Sequence, residues 1–135
     1  MQCIQFHPNS NYVATGSTDR SVRMWDCLNG QCVRYMTGHK GSISALAFEN
    51  SGRFLASAGA DKRILIWDIA SGHLVADLFG GHHHTIYTLS FNRGPEAIML
   101  ASGGLDNRVI LWDIQRLFED INFEELTPTS TPNIK

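Results

Sequence analysis

Ser57-Ala58-Gly59-Ala60-Asp61-Lys62-Arg63-Ile64-Leu65-Ile66-Trp67-Asp68 is the most informative stretch of the chain. A Ser stands four residues before an Asp, a tight Ala60-Asp61-Lys62 connection follows, and a nearly unbroken apolar run ends in Trp-Asp. The same arrangement occurs on either side of it. Thr15, Asp19 and Trp25-Asp26 come before, Ser102, Asp106 and Trp112-Asp113 come after, and the three Trp residues are 42 and 45 positions apart. Gly38-His39 and Gly81-His82 place a histidine 28 and 30 residues ahead of the second and third Trp. A period of this length marks one supersecondary unit copied in tandem.

The middle copy reads as four strands: residues 42–48, a second strand beginning at 54–57, then 63–67 and 73–79. Glu49-Asn50-Ser51-Gly52, Ala60-Asp61-Lys62 and Ala70-Ser71-Gly72 separate them, with residues suited to turns. The third strands, residues 22–25, 64–67 and 109–112, are almost continuously aliphatic or aromatic. A sheet with one wet face would alternate, so these runs call for cover on both faces. With the Trp-Asp and Gly-His pairs, the unit resembles the WD-repeat family. That resemblance implies an all-β fold, a β-propeller of four-stranded blades.

The expected architecture is about three blades of a larger ring, which the resemblance makes seven-bladed. The copies divide as 1–37 (a partial first copy), 38–80, and 81–114 (without a clear last strand). Phe6, Phe48 and Phe91 occupy matching positions, and counting back from Phe6 to a Gly-His runs past Met1. The repeat is therefore expected to begin part-way through a blade. Propellers close with roughly four to eight blades. Three alone would leave two apolar faces in water, so the chain is expected to belong to a larger propeller or to self-associate. Residues 115–126 (QRLFEDINFEEL) are acidic and helix-prone, and 127–132 (TPTSTP) read as a flexible tail.

Composition fits one ordinary globular domain: 135 residues, 43% hydrophobic and 18% charged, with a net charge of −2. That charge supplies no whole-domain attraction to nucleic acid or anionic lipid. No apolar run approaches the ~20 residues of a membrane-spanning helix, so no membrane partner is expected. The N-terminus lacks the pattern of a secretory signal. Three cysteines cannot all pair within the chain, which favours a reducing location. Cys27 and Cys32 lack a second ligand pair nearby, so they read as small side chains rather than metal ligands.

In the WD-repeat family the His, Ser or Thr, Asp and Trp positions share a structural task. Carried over, that implies a relay of His39, Ser57, Asp61 and Trp67, another of His82, Ser102, Asp106 and Trp112, and a shortened one of Thr15, Asp19 and Trp25. A Ser, a His and an Asp also invite a hydrolase reading. A catalytic triad is made once, beside an oxyanion hole, whereas this set is repeated and includes a Trp no triad needs. No enzyme activity, catalytic residue, cofactor or metal site is expected. Arg20, Lys40, Lys62, Arg63, His83, His84 and Arg108 fall near the Asp turns and the Gly-His approaches, a candidate docking face for an acidic peptide segment. Direct nucleic-acid contact is not expected, because no aromatic is interleaved with these charges. In His82-His83-His84 neighbouring side chains diverge, so the first is read as the repeat histidine and the others as surface.

A closer resemblance rests on the run Phe6-His7-Pro8-Asn9-Ser10-Asn11-Tyr12-Val13-Ala14-Thr15-Gly16-Ser17, on Asp19-Arg20-Ser21-Val22-Arg23, and on Leu28-Asn29-Gly30-Gln31-Cys32-Val33-Arg34. These resemble the family of WD-repeat subunits of transcription factor TFIID and its paralogue in SAGA-type coactivators. Phe118-Glu119-Asp120 is more similar to the TFIID branch. The resemblance implies a nuclear, non-enzymatic scaffold whose partners are other TFIID subunits, histone-fold subunits among them. Its role would be assembly of the RNA polymerase II preinitiation complex. The alternative is a WD-repeat adaptor or peptide reader, in a SAGA-type complex or as a ubiquitin-ligase substrate receptor. The family's N-terminal LisH and helical regions have no counterpart in these residues. The third copy also has a longer first turn, residues 92–97.

Overall fold

Short turns rich in Gly, Asn and Asp reverse the chain, and between them it runs extended. The computed structural model describes residues 3–93 and 98–115, and among them eleven strands form three antiparallel sheets. The first holds β1 (Cys3–Phe6), β2 (Tyr12–Gly16), β3 (Ser21–Asp26) and β4 (Cys32–Thr37). The second holds β5 (Ile43–Phe48), β6 (Phe54–Gly59), β7 (Ile64–Asp68) and β8 (His73–Leu78). The third holds β9 (Ile86–Phe91), β10 (Met99–Gly104) and β11 (Val109–Asp113). Each sheet is a meander in which every strand pairs with the next in sequence.

The first sheet, like the second, has four strands. The third sheet has three strands among the described residues. The helix-prone stretch after Gln115, the tail, and residues 94–97 of the lengthened turn lie outside the described residues.

Strand β7 shows why the apolar run is unbroken. Ile64 and Ile66 belong to a core with Ile86, Leu100 and Trp112 of the third sheet. Leu65 and Trp67 belong to a second core with Ala14, Val22, Met24 and Met36 of the first sheet. Successive side chains point to opposite faces, and here each face meets a neighbouring sheet. Ile64, Leu65 and Ile66 are 0%, 2% and 0% exposed, each burial contributing about 1.5–3 kcal/mol. The close approach of strands also needs glycine: a Cβ at Gly59 would collide with the Ser42 carbonyl.

The three sheets present the same ends on the same side. Ile43 N–H donates to the Ser17 carbonyl at 3.1 Å, joining the first Asp turn to the start of β5. Ser44 Oγ–H donates to the Ile86 carbonyl at 2.5 Å, joining the start of β5 to the start of β9. This common rim carries the Asp turns and the Gly-His approaches.

Candidate docking site

Each rim turn is built alike. Arg20, Lys62 and Asn107 have φ of 72°, 65° and 60°, and their N–H groups donate to Ser17, Gly59 and Gly104 carbonyls at 3.2, 3.2 and 3.3 Å. A tight turn closing on a left-handed residue matches the twist of a three-residue hairpin loop. It also holds that residue's side chain at the tip of the rim.

Beneath the second turn, four side chains meet in a relay. Trp67 Nε1–H donates to Ser57 Oγ at 2.8 Å, and Ser57 Oγ lies 2.7 Å from His39 Nε2. His39 Nδ1 lies 2.8 Å from Asp61 Oδ2, which also accepts from Lys40 N–H at 3.0 Å. Since the Ser57 oxygen already accepts from the indole, its own hydrogen is free for His39 Nε2. The histidine then donates from Nδ1 to the carboxylate, a tautomer assigned from the network. Every polar atom in this buried set has a partner, as a low-dielectric interior requires.

The third sheet repeats the geometry. Trp112 Nε1–H donates to Ser102 Oγ at 2.9 Å, Ser102 Oγ is 2.7 Å from His82 Nε2, and His82 Nδ1 is 3.1 Å from Asp106 Oδ2. Asp106 also accepts from His83 N–H at 2.8 Å and Arg108 N–H at 3.1 Å. In the first sheet Trp25 Nε1–H donates to Thr15 Oγ1 at 2.9 Å. Asp19 there accepts from Ser21 N–H at 3.0 Å and from the Arg23 guanidinium at 3.2 Å.

Burial opposes the charge on Asp61 and Asp106, but the donors around them outweigh it. Hydrogen bonds from His39, Lys40 N–H and Arg63 N–H leave the Asp61 pKa below the ordinary carboxylate value. Those from His83 N–H, His82 and Arg108 N–H bring Asp106 down to about 2. Asp19 is lowered chiefly by its bonds to Ser21. Each carboxylate is therefore consumed by its own turn. The Ser hydroxyls are buried, Ser57 at 0% and Ser102 at 1% exposed, so neither is placed to attack a substrate from solvent.

The cations fare differently from one another. Arg20, Lys40 and Lys62 are exposed and have no ion-pair partner among the described residues. Arg63 is drawn to the outer strand, where its Nη1 pairs with Asp77 at 2.5 Å and its guanidinium lies 5.1 Å from the centre of the Phe79 ring. Arg108 is exposed and donates to the Gly81 carbonyl at 3.5 Å. His83 and His84 are exposed beside buried His82. The rim thus carries a surplus of free positive charge.

Sequence reasoning missed the residues that tie one sheet to the next. His7 Nε2 is 2.9 Å from the Gly52 carbonyl, and its ring meets Phe48 edge-on at 5.1 Å. Arg34 donates from Nε to the Ile69 carbonyl at 3.0 Å and from Nη2 to Ala70 at 2.8 Å. His7 and Arg34 both lie in runs that carry the family resemblance. That was the available signal.

The family of the WD domain, G-beta repeat, matches residues 1–26, 30–68 and 72–113. The chain belongs to the WD40-repeat family. Over 50 residues this WD40 chain is 54% identical to "Transcription initiation factor TFIID subunit 5" of Caenorhabditis elegans, covering 37% of the chain and 8% of that protein. Over 41 residues it is 51% identical to "Nuclear distribution protein PAC1" of Cryptococcus neoformans, covering 30% of the chain and 10% of that protein. The chain thus spans a tenth or less of these relatives' lengths. Among solved structures it is similar to "Structure of U3-55K", with a TM-score of 0.78 at 25% identity, covering 84% of the chain and 36% of that one. The chain is part of a WD40 β-propeller, a fold that typically serves as a protein-interaction scaffold.

Proposed function

We propose that this chain is the propeller portion of a TFIID scaffold subunit, acting in the nucleus to hold other TFIID subunits, histone-fold subunits among them. In that role it supports assembly of the RNA polymerase II preinitiation complex without catalysing a reaction. The observation that carries this reading is the 54% identity over 50 residues to a TFIID subunit 5. The geometry is compatible with it: Ser57 with His39 and Ser102 with His82 are buried, and their polar atoms are bonded within the two relays.

The test is capture of the endogenous protein from nuclear extract with an antibody to residues 115–135, followed by mass spectrometry. Recovery of TFIID subunits at stoichiometric levels is expected. Their absence, with a different reproducible partner set, would overturn the TFIID role.

A second reading is favoured by the free cations Arg20, Lys40 and Lys62, which share the rim. It is an adaptor, in a SAGA-type or ubiquitin-ligase complex, that grips an acidic segment there. In that case Lys40→Glu combined with Lys62→Glu abolishes partner capture. An assembly subunit held through large folded interfaces loses little.

A further inference from the structure

We propose that Asn29, in the turn between β3 and β4, is a site of spontaneous deamidation, passing through a cyclic imide to an aspartyl or isoaspartyl residue. Two backbone bonds close this turn. Gly30 N–H donates to the Asp26 carbonyl at 2.8 Å, and Asp26 N–H donates to the Gln31 carbonyl at 2.9 Å. Asn29, Gly30 and Gln31 are exposed. Gly30 has φ of 71°, which glycine adopts without steric cost. Among the asparagines of the chain, Asn29 alone is followed by glycine. A glycine nitrogen has no Cβ beside it to hinder attack on the preceding amide. Asn50 and Asn107 precede Ser51 and Arg108, which do.

The turn also places a donor where the reaction needs one. Asn29 Oδ1 accepts from Gln31 N–H at 2.9 Å. When the Gly30 nitrogen loses its proton to solvent base and bonds to Asn29 Cγ, negative charge develops on that same oxygen, at which a donor is already aimed. The Cγ–Nδ2 bond then breaks, ammonia leaves with the proton, and a five-membered succinimide closes. Water adds to one of its two carbonyls. Opening one side leaves an aspartyl residue, and opening the other leaves an isoaspartyl residue with one more carbon in the main chain. Neither step changes an oxidation state. The Gly30 N–H must first release the Asp26 carbonyl, and an exposed turn opens locally at far less than the global cost.

Exposure of Asn29 does not depend on where the sequence begins. The middle sheet has a neighbour on each side and the same turn between β7 and β8. Gly72 has φ of 72° and donates its N–H to the Asp68 carbonyl at 2.7 Å, and His73 N–H donates to Ser71 Oγ at 3.3 Å. Arg34 of the preceding sheet caps that turn at the Ile69 and Ala70 carbonyls, yet Ser71, the equivalent of Asn29, stays exposed. A sheet packed in the same way before the first would leave Asn29 equally open. What differs between the two turns is the side chain, a hydroxyl in one and a reactive amide in the other. The inference does not depend on the TFIID reading.

The experiment is incubation of the folded chain at mildly alkaline pH over weeks, followed by trypsin digestion and peptide mass spectrometry. Cleavage after Arg23 and Arg34 isolates residues 24–34, in which Asn29 is the one asparagine. That peptide should gain about 1 Da at position 29, and an isoaspartyl-directed methyltransferase should label it. Peptides carrying Asn50 and Asn107 should keep their mass. Gly30→Ala should slow the gain at least about tenfold. Ser71→Asn rebuilds the site in the middle sheet and should bring the same gain to position 71. An unchanged Asn29 in the folded chain, when the urea-unfolded chain reacts there, would overturn the proposal, because the turn would then shield the amide. Reaction of Asn50 or Asn107 at an equal rate would overturn it too. A Ser71→Asn variant that stays intact at that position would do the same, since a preceding sheet would then close the site.

Discussion

Ile64 and Ile66 in β7 are both 0% exposed, whereas Val109 and Leu111, in the same positions of β11, are 79% and 66% exposed. The residue types, strand lengths and pairing registers are nearly the same in the two sheets. Their difference lies in the neighbours: among the described residues the middle sheet has one on each side and the third has one. In a stacked-repeat protein stability resides in the contacts between units as much as within them, and a side chain's contribution cannot be read from its own copy. The sharpest way to break this comparison is truncation. Ile66→Ala should cost about 2–5 kcal/mol, the range for a fully buried aliphatic. Leu111→Ala should change stability by less than about 0.5 kcal/mol in dilute solution, as surface substitutions do. Urea unfolding of the two variants measures both. Equal losses would mean that the third sheet is covered in the single chain.

The relays permit a similar contrast. Ser57 is buried and bonded to both His39 and Trp67, while Thr15 is half-buried, bonds Trp25 and has no histidine partner. Ser57→Ala leaves the indole N–H and a ring nitrogen unsatisfied in a buried site. About 1–3 kcal/mol is expected to be lost. Thr15→Ala should cost less, about 0.5–1.5 kcal/mol, because it removes one bond at a wetter position. Thermal melts of the two variants compare them directly. Losses of the same size would show that the histidine adds nothing to the clamp.

Acid titrates the clamps themselves. Asp61 and Asp106 have folded-state pKa values below the ordinary value of about 3.9, Asp106 at about 2. A depressed carboxylate contributes stability that is complete above the unfolded-state pKa and is lost as pH falls through the folded one. Melting temperature should therefore decline as pH drops from about 4 to about 2. Asp106→Asn should flatten part of that decline by removing one of the titrating groups. A melting temperature indifferent to pH in that window would remove the carboxylates from the stability argument.

The sequence made legible whatever the copies repeat. The period located the strands of the middle sheet: residues 42–48 and 63–67 in the reading correspond to Ile43–Phe48 and Ile64–Asp68 in the structure. Turn chemistry and the apolar run in β7 were enough for that, because both follow from local φ/ψ preference and face alternation. Contacts peculiar to one copy left no periodic trace. His7 meets Gly52 across 45 positions, and the residues standing at the equivalents of His7 and Arg34 in the next copy are Glu49 and Ala76. Arg63 illustrates the same limit within the rim. Its position in the chain groups it with Lys62, yet Asp77 of β8 and Phe79 just beyond that strand take its guanidinium.

The smallest expected effect separates the backbone of the rim from its charge. Lys62 sits at φ 65°, a region that costs a residue with a Cβ about 1 kcal/mol and costs glycine nothing. Lys62→Gly relieves that strain but adds freedom to the unfolded chain, and the two effects oppose each other. Stability should therefore move by no more than about 0.5 kcal/mol in either direction. Lys62→Val sets the limit on the other side, because a β-branched residue is poorly tolerated at positive φ. It should cost about 1–2 kcal/mol. If Gly and Val behaved alike in urea unfolding, the left-handed turn would not be what shapes the rim. If they differ as expected, Lys62→Gly removes a cation of the proposed docking face without disturbing the clamp below it. A loss of partner capture in that variant would then belong to the charge.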